Sequence, residues 1–209
     1  MNVLIADDHA VVREGLKMIL KKIDAQSKIE EASTGYEALY KLENNDYEIA
    51  ILDISMPGIS GIDILKTLKD KNIKGKFLIL SVHRQEQYAL RAFKLGASGY
   101  ICKDTVYDEL HYAIKSVLSG KTYISPILAE KILLAQKAGN ARTLHEKLSE
   151  REFQIMCMLA RGNSVKEVAA TLFISDKTVS THRSRILEKM GMKKNAELTA
   201  YALKNDLIE

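Results

Sequence analysis

The feature that most constrains this fold is an alternation through the first part of the chain: a short apolar run, then a stretch with apolar residues at helical spacing. Val3 to Ala6, Ile49 to Leu52, Phe77 to Val82 and Tyr100 to Cys102 are such runs, and Lys28 to Ala32 is a weaker fifth. Continuous apolar runs of this length predict strands buried on both faces. Val11 to Lys22, Tyr36 to Asn44, Ile62 to Asp70, Gln85 to Leu95 and Tyr107 to Leu118 carry the helical period. Five βα units predict a parallel α/β sheet with helices on both faces. This pattern does not separate one open α/β fold from another, so function has to be read from the residues at the strand ends.

Those ends concentrate unusual chemistry. Asp7 and Asp8 directly follow the first run, Asp53 follows the third, Ser81 lies at the end of the fourth, and Lys103 follows the fifth. In an open parallel sheet the carboxyl ends of the strands border one crevice, where ligands bind. Three crowded carboxylates repel one another and ask for a cation. Oxygen ligands suit a hard divalent ion, and Mg²⁺ leaves room for a phosphoryl group. Asp53 can then act as a carboxylate nucleophile that forms an acyl phosphate, with the metal and Lys103 neutralising the equatorial oxygens and the Ser81 hydroxyl bonding one of them. Each residue alone has an ordinary explanation: an Asp after a strand often caps a helix, and Lys103 can be a solvated charge. Their convergence on one sheet edge favours a site.

The rest of the chain is of a different kind. Residues 1–120 are expected to form the α/β domain, 121–147 a partly helical connection, and 148–209 an all-helical domain. Ser125-Pro126 offers an N-cap and a first-turn proline, with Gly139-Asn140 as the expected stop. Ser149 with Glu152 three residues on is a capping box, and Gly162 ends the helix it opens. Helices are expected at about Lys166 to Leu172, Asp176 to Met190 and Asn195 to Lys204. Charge is unevenly spread: up to Ser125 there are 17 Lys and Arg against 17 Asp and Glu, and from Pro126 onward 14 against 10. Ser175 to Lys194 alone holds Lys177, Arg183, Arg185, Lys189, Lys193 and Lys194 against Asp176 and Glu188, a footprint for a polyanion. Ser175 is placed to cap Asp176 to Met190, a helix with Val179, Ile186 and Met190 on one side and Lys177, Thr181, Ser184 and Arg185 on the other. Arg183 falls near the buried side. Such a helix after a short turn fits the major groove; an ordinary amphipathic hairpin has the same periodicity.

Two resemblances bear on these alternatives. NVLIADDH, ILDISMPGISG, LILSVH and GASGYICKD resemble, in order, the blocks of bacterial response-regulator receiver domains, over Asn2 to about Ser119. The resemblance implies a five-stranded flavodoxin-like sheet of order 2-1-3-4-5, with Asp53 as phosphoacceptor. It also implies Mg²⁺ bound by Asp8, Asp53 and the Ser55 carbonyl, with Asp7 acting largely through water. Ser81 and Tyr100 match the switch pair, in which the hydroxyl moves towards the phosphoryl group and the ring turns inward. Asp104 stands where many receivers carry proline, and Val82 where alanine or glycine is common. LSEREFQIMCMLARGNSVKEVAATLFISDKTVSTHRSRILEKMGMKKNAELTAYAL is similar to the LuxR-type helix-turn-helix, and the pair of domains resembles the NarL/FixJ group of response regulators. That implies a four-helix domain in which Ser180, Thr181 and Ser184 face bases and Lys166, Lys177, Arg185 and Lys189 meet phosphates. The implied partners are a sensor histidine kinase, promoter DNA and a second copy of the chain. Small hydroxyls discriminate bases weakly, so water or DNA shape is expected to contribute.

Other classes fit less well. A phosphatase of the haloacid-dehalogenase kind shares the strand-end Asp and Mg²⁺ but needs a second Asp two residues later, where this chain has Ser55. A phosphate-independent dimerisation module would not require the acidic set. Beyond self-phosphorylation from a phosphodonor and autodephosphorylation, no enzyme activity is expected. Cys102 and Cys157 form no metal motif, and no apolar run approaches the roughly 18 residues of a membrane span. A cytoplasmic protein is expected.

Overall fold

Why the first half folds as a sheet is visible in its burial. The computed structural model describes residues 1–82, 86–137, 144–205, 207 and 208. Strands β1 (Asn2–Ala6), β2 (Lys28–Ala32), β3 (Ile49–Asp53), β4 (Phe77–Ser81) and β5 (Gly99–Cys102) pair in parallel in the order β2-β1-β3-β4-β5. Every residue of β3 and β4 is buried, whereas β2 at the edge is mostly not. The continuous apolar runs therefore mark the centre of the sheet, and the weakest run marks its edge.

Helices α1 (Ala10–Ile23), α2 (Gly35–Asn44), α3 (Gly61–Asp70), α4 (Glu86–Lys94) and α5 (Val106–Leu118) connect the strands. One core gathers Val3, Ile5, Ile51, Leu78, Leu80 and Ile101 from the strands with Leu16 and Leu20 of α1 and Leu110, Ile114 and Val117 of α5. Truncating any one of these leucines to alanine is expected to cost about 2–5 kcal/mol. Thr34 and Ser60 cap α2 and α3, each accepting the backbone N–H three residues on.

The sheet also departs from the expected five strands. A sixth, β6 (Tyr123–Ile124), pairs in parallel with the outer edge of β5. Helix α6 (Pro126–Lys137) follows directly, with the Ser125 hydroxyl accepting the Leu128 N–H. Two-residue strands carry almost no periodic signal, which is why β6 escapes the sequence pattern. The chain divides into two compact units, Met1–Ala138 and Gly139–Glu209. Of the stretch 121–147 read as a connection, β6 and α6 thus lie in the first unit, and a 3-10 turn at Leu144–Lys147 lies in the second. Gln85, the expected start of α4, and Gly139-Asn140, the expected stop of α6, lie outside the described residues.

The second unit contains α7 (Glu150–Ala160), α8 (Val165–Leu172), α9 (Asp176–Met190) and α10 (Asn195–Lys204). The expected capping box is present at Ser149 and Glu152, a second stands at Ser164 and Glu167, and Ser175 caps α9. Each cap supplies about 1 kcal/mol by satisfying an N–H that the helix leaves open. Helix α7 packs against α9 and α10, and α8 against α9, around Ile155, Met156, Val168, Val179, Ile186 and Leu198.

Candidate functional site

Topology brings the chemistry-bearing strand ends together. Asp53 is the last residue of β3, Asp7 follows β1, and Lys103 follows β5. Lys103 Nζ lies 2.7 Å from Asp53 Oδ2, to which it donates a hydrogen bond, and 2.7 Å from Asp7 Oδ2. Asp7 and Asp53 are 0% and 2% exposed. Burial lifts the Asp53 carboxyl from 3.8 to about 6; Lys103 pulls it down, the Asp7 charge pushes it up, and the Ser55 N–H, hydrogen-bonded to it, pulls it down. Burial lowers the Lys103 ammonium, but its two carboxylates outweigh burial and leave it raised. One lysine serves two carboxylates, so the cluster remains short of positive charge.

The unmet demand is located on particular atoms. Asp7 Oδ2 touches Lys103 without an aligned hydrogen bond, and Asp8 Oδ1 lies 2.7 Å from His9 Nδ1 in the same condition. Buried carboxylate oxygens left so are costly unless an ion completes them. Ligand atoms of Asp7, Asp8, His9 and Asp53 all lie within 4.8 Å of one another, an acidic pocket able to hold a metal ion. The donor set is dominated by carboxylate oxygen, which favours a hard cation.

Residues outside the sequence reading hold this pocket in shape. Arg13 donates Nη1 to the Asp7 carbonyl (2.7 Å) and Nε to Glu31 of β2 (2.8 Å), and the His9 N–H bonds Asp7 Oδ1 (2.9 Å). Gly61 opens α3 where any Cβ would collide with the Asp53 carbonyl oxygen. Nothing in the spacing of Arg13 and Glu31 announces their pairing; Gly61 stands within ILDISMPGISG but has no separate signal.

Ser81, the last residue of β4, is fully buried and in register with Cys102. Tyr100 is in register with Ile79, so by strand alternation Ser81 and Tyr100 share a face of the sheet, opposite the α1/α5 core. Tyr100 is fully buried. Val82 beside Ser81 is 56% exposed, and Lys103–Thr105 forms a 3-10 turn that runs straight into α5, with Asp104 in place of proline.

In the second unit α8, a turn through Phe173 in the left-handed region (φ 53°), and α9 form a helix-turn-helix. Lys166 on α8 and Lys177, Ser180, Thr181, Ser184, Arg185 and Lys189 on α9 are all exposed, while Val179, Ile186, Leu187 and Met190 are buried. Two basic residues have structural duties. Arg183 Nε bonds Asn195 Oδ1 at the start of α10 (2.7 Å), in keeping with its place near the buried side. Lys189 Nζ donates to both oxygens of Glu152, at 2.9 and 2.6 Å. Burial pushes Glu152 up, but Lys189 and the Ser149 N–H hold it below the usual carboxylate range. The wheel could not reveal this pair, because Glu152 lies on another helix.

Comparison with known proteins identifies the architecture. The family model for the response regulator receiver domain matches residues 3–115, and that for bacterial regulatory proteins of the luxR family matches residues 146–202. The chain belongs to the response-regulator family, with a receiver and a LuxR-type DNA-binding domain, and acts in transcription control. It is 36% identical to the oxygen regulatory protein NreC of Staphylococcus carnosus, over the whole of both chains. It is 34% identical to the response regulator UvrY of Escherichia coli, over 99% of this chain and 95% of UvrY. A solved structure of two RcsB dimers bound to two parallel DNAs matches with TM-score 0.60 and 25% identity, over 96% of this chain and 97% of that one. Among the described residues, no helix is long and apolar enough to cross a membrane.

Proposed function

We propose that this chain is a cytoplasmic protein to which a sensor histidine kinase donates a phosphoryl group at Asp53, and that the modification controls dimerisation and promoter binding through α9. An Asp53 carboxylate oxygen attacks phosphorus in line, the phosphorus–nitrogen bond of the phosphohistidine breaks, and the imidazole leaves with the electron pair. Asp8, Asp53 and the Ser55 carbonyl, with Asp7 through water, would hold Mg²⁺, which supplies charge neutralisation for the phosphoryl oxygens. Lys103, already centred between Asp53 and Asp7, pairs with the phosphoryl group, and the Ser81 hydroxyl follows it while Tyr100 responds behind. Self-phosphorylation from small phosphodonors and autodephosphorylation use the same atoms.

On the second unit, Ser180, Thr181 and Ser184 face the base edges and Lys166, Lys177 and Arg185 the phosphates. Thr181 and Ser184 donate their protons to the carbonyls of Lys177 and Ser180, at 2.9 and 3.1 Å, leaving lone pairs to accept from bases. Lys189, with its charge shared with Glu152, adds a weaker phosphate contact. The RcsB dimers on DNA support paired half-sites.

The observation that carries the reading is the 2.7 Å convergence of Lys103 on two buried carboxylates in an acidic pocket that also contains Asp8. Incubation with acetyl phosphate and Mg²⁺, followed by intact mass, tests it. One phosphoryl group on wild type and none on Asp53→Ala is expected; an unchanged adduct on Asp53→Ala contradicts it.

A further inference from the structure

Helices α3 and α4 both stop at the amino end of β4, the end of the sheet opposite Asp53. Each closes on a left-handed residue, Asn72 (φ 55°) and Gly96 (φ 97°), after which the chain reaches back: the Ile73 N–H donates to the Leu68 carbonyl and the Ala97 N–H to that of Ala92. Between the two closures lies a cleft of about 490 Å³, within the range of small-ligand sites. Its apolar wall is made by Leu65 and Phe77, both buried, with Ile73 and Phe93 half-buried. A Cβ at Gly75 would lie 2.7 Å from Phe77 Cζ, so glycine at this position lets the backbone pass over the ring.

Lys69, Lys74 and Lys94 line the same cleft, all exposed, and no lining residue is acidic. Lysines near helix C-termini often answer the last carbonyls, and Lys69 does so, donating to the Lys94 carbonyl at 2.7 Å. Lys71 nearby is paired with Glu43 at 2.7 Å, whereas among the described residues neither Lys74 nor Lys94 has a carboxylate partner. Two helix C-termini carry about half a negative charge each, against three ammonium groups, so the cleft keeps a surplus of about two positive charges. The apolar wall alone would accept any greasy body, and the lysines alone any anion. Together they select a molecule that is both.

We propose that this cleft binds a small phosphate monoester with an aromatic body, the ring against Phe77, Phe93 and Ile73 and the phosphate meeting Lys74 and Lys94. A phosphate dianion matches the surplus charge, whereas a carboxylate leaves half of it unanswered. The cleft and the Asp53 pocket lie at opposite ends of the strands, so the ligand does not compete with chemistry at Asp53.

Titration of the nitrogen-15-labelled full chain with 1-naphthyl phosphate in chelator, followed by amide chemical shifts, tests this. Saturable shifts over 65–77 and 93–96 are expected, with β1 and α9 unmoved. 1-Naphthol and inorganic phosphate each carry half of the chemistry and should bind at least about tenfold more weakly. The double variant Lys74→Glu, Lys94→Glu should weaken binding of the ester by about tenfold or more. Both lysines are exposed, and unchanged β1 resonances report that the variant is folded. The proposal is overturned by an absence of saturable shifts in the cleft, by shifts centred on α9, or by equal affinity in the folded double variant. Naphthol or inorganic phosphate binding as tightly as the ester also overturns it, because one half of the site would then be idle.

Discussion

The Asp53 pocket and the α9 surface spend charge in opposite ways. In the pocket, buried carboxylates from two strand ends are held at 2.7 Å by one lysine from a third, with the Asp8 carboxylate beside them. On α9, Lys177 and Arg185 stand in solvent, and among the described residues neither makes an ion pair. The first arrangement is preorganised and costly, and its excess negative charge suits it to a cation. The second is cheap and screened, and gains its energy only when a polyanion displaces its counterions. Changes in the pocket should therefore act on a regulated equilibrium, and changes on α9 on affinity directly.

The largest effect expected is at the pocket. Lys103→Ala leaves Asp53 and Asp7 facing each other unpaired, and phosphoryl uptake from acetyl phosphate should fall by about two orders of magnitude or more; unphosphorylated DNA affinity should be unchanged, and a parallel loss of affinity would erase the contrast. On α9, Lys177→Ala or Arg185→Ala should weaken promoter binding about tenfold and lower the salt slope by about one, with phosphoryl uptake intact. Fluorescence anisotropy across a salt series measures both. Lys189 sharpens the comparison from within the helix. Lys189→Ala strands the buried Glu152 carboxylate and should destabilise the second unit by about 1–3 kcal/mol in urea, against no more than about 0.5 kcal/mol for Lys177→Ala.

A further effect concerns pH. Because burial raises Asp53 from 3.8 to about 6, the folded state binds more protons than the unfolded one between those values, and this group's contribution to stability falls as pH rises through that window. In chelator, Asp53→Asn should match wild type near the lower limit and exceed it by about 1–3 kcal/mol above the upper. Mg²⁺ should narrow the gap by stabilising wild type alone. A gap independent of pH would show that Asp53 is not held against its charge.

The same contrast explains what was legible in the sequence. The pocket was readable because βα alternation places the strand ends at one edge, so the grouping of Asp7, Asp8, Asp53 and Lys103 needed no distances. Its support was not, since Arg13 of α1 reaches Glu31 on the edge strand β2 and Gly61 matters only through the approach of the Asp53 carbonyl. On α9 the wheel separated Val179 and Ile186 from Thr181 and Arg185, yet it could not see that Lys189 answers a carboxylate 37 residues away. β6 was missed for a third reason: two residues are too few for a period, and their register depends on Gly99.

In the proposed function, chemistry at Asp53 controls DNA reading at α9. Promoter-fragment affinity, measured at one fixed salt concentration with and without acetyl phosphate and Mg²⁺, tests it most directly on wild type and Asp53→Ala. Wild type should gain about tenfold or more in affinity on phosphodonor treatment, and Asp53→Ala should not respond. Equal affinities in treated and untreated wild type that has taken up phosphate, or an undiminished response in Asp53→Ala, would contradict it.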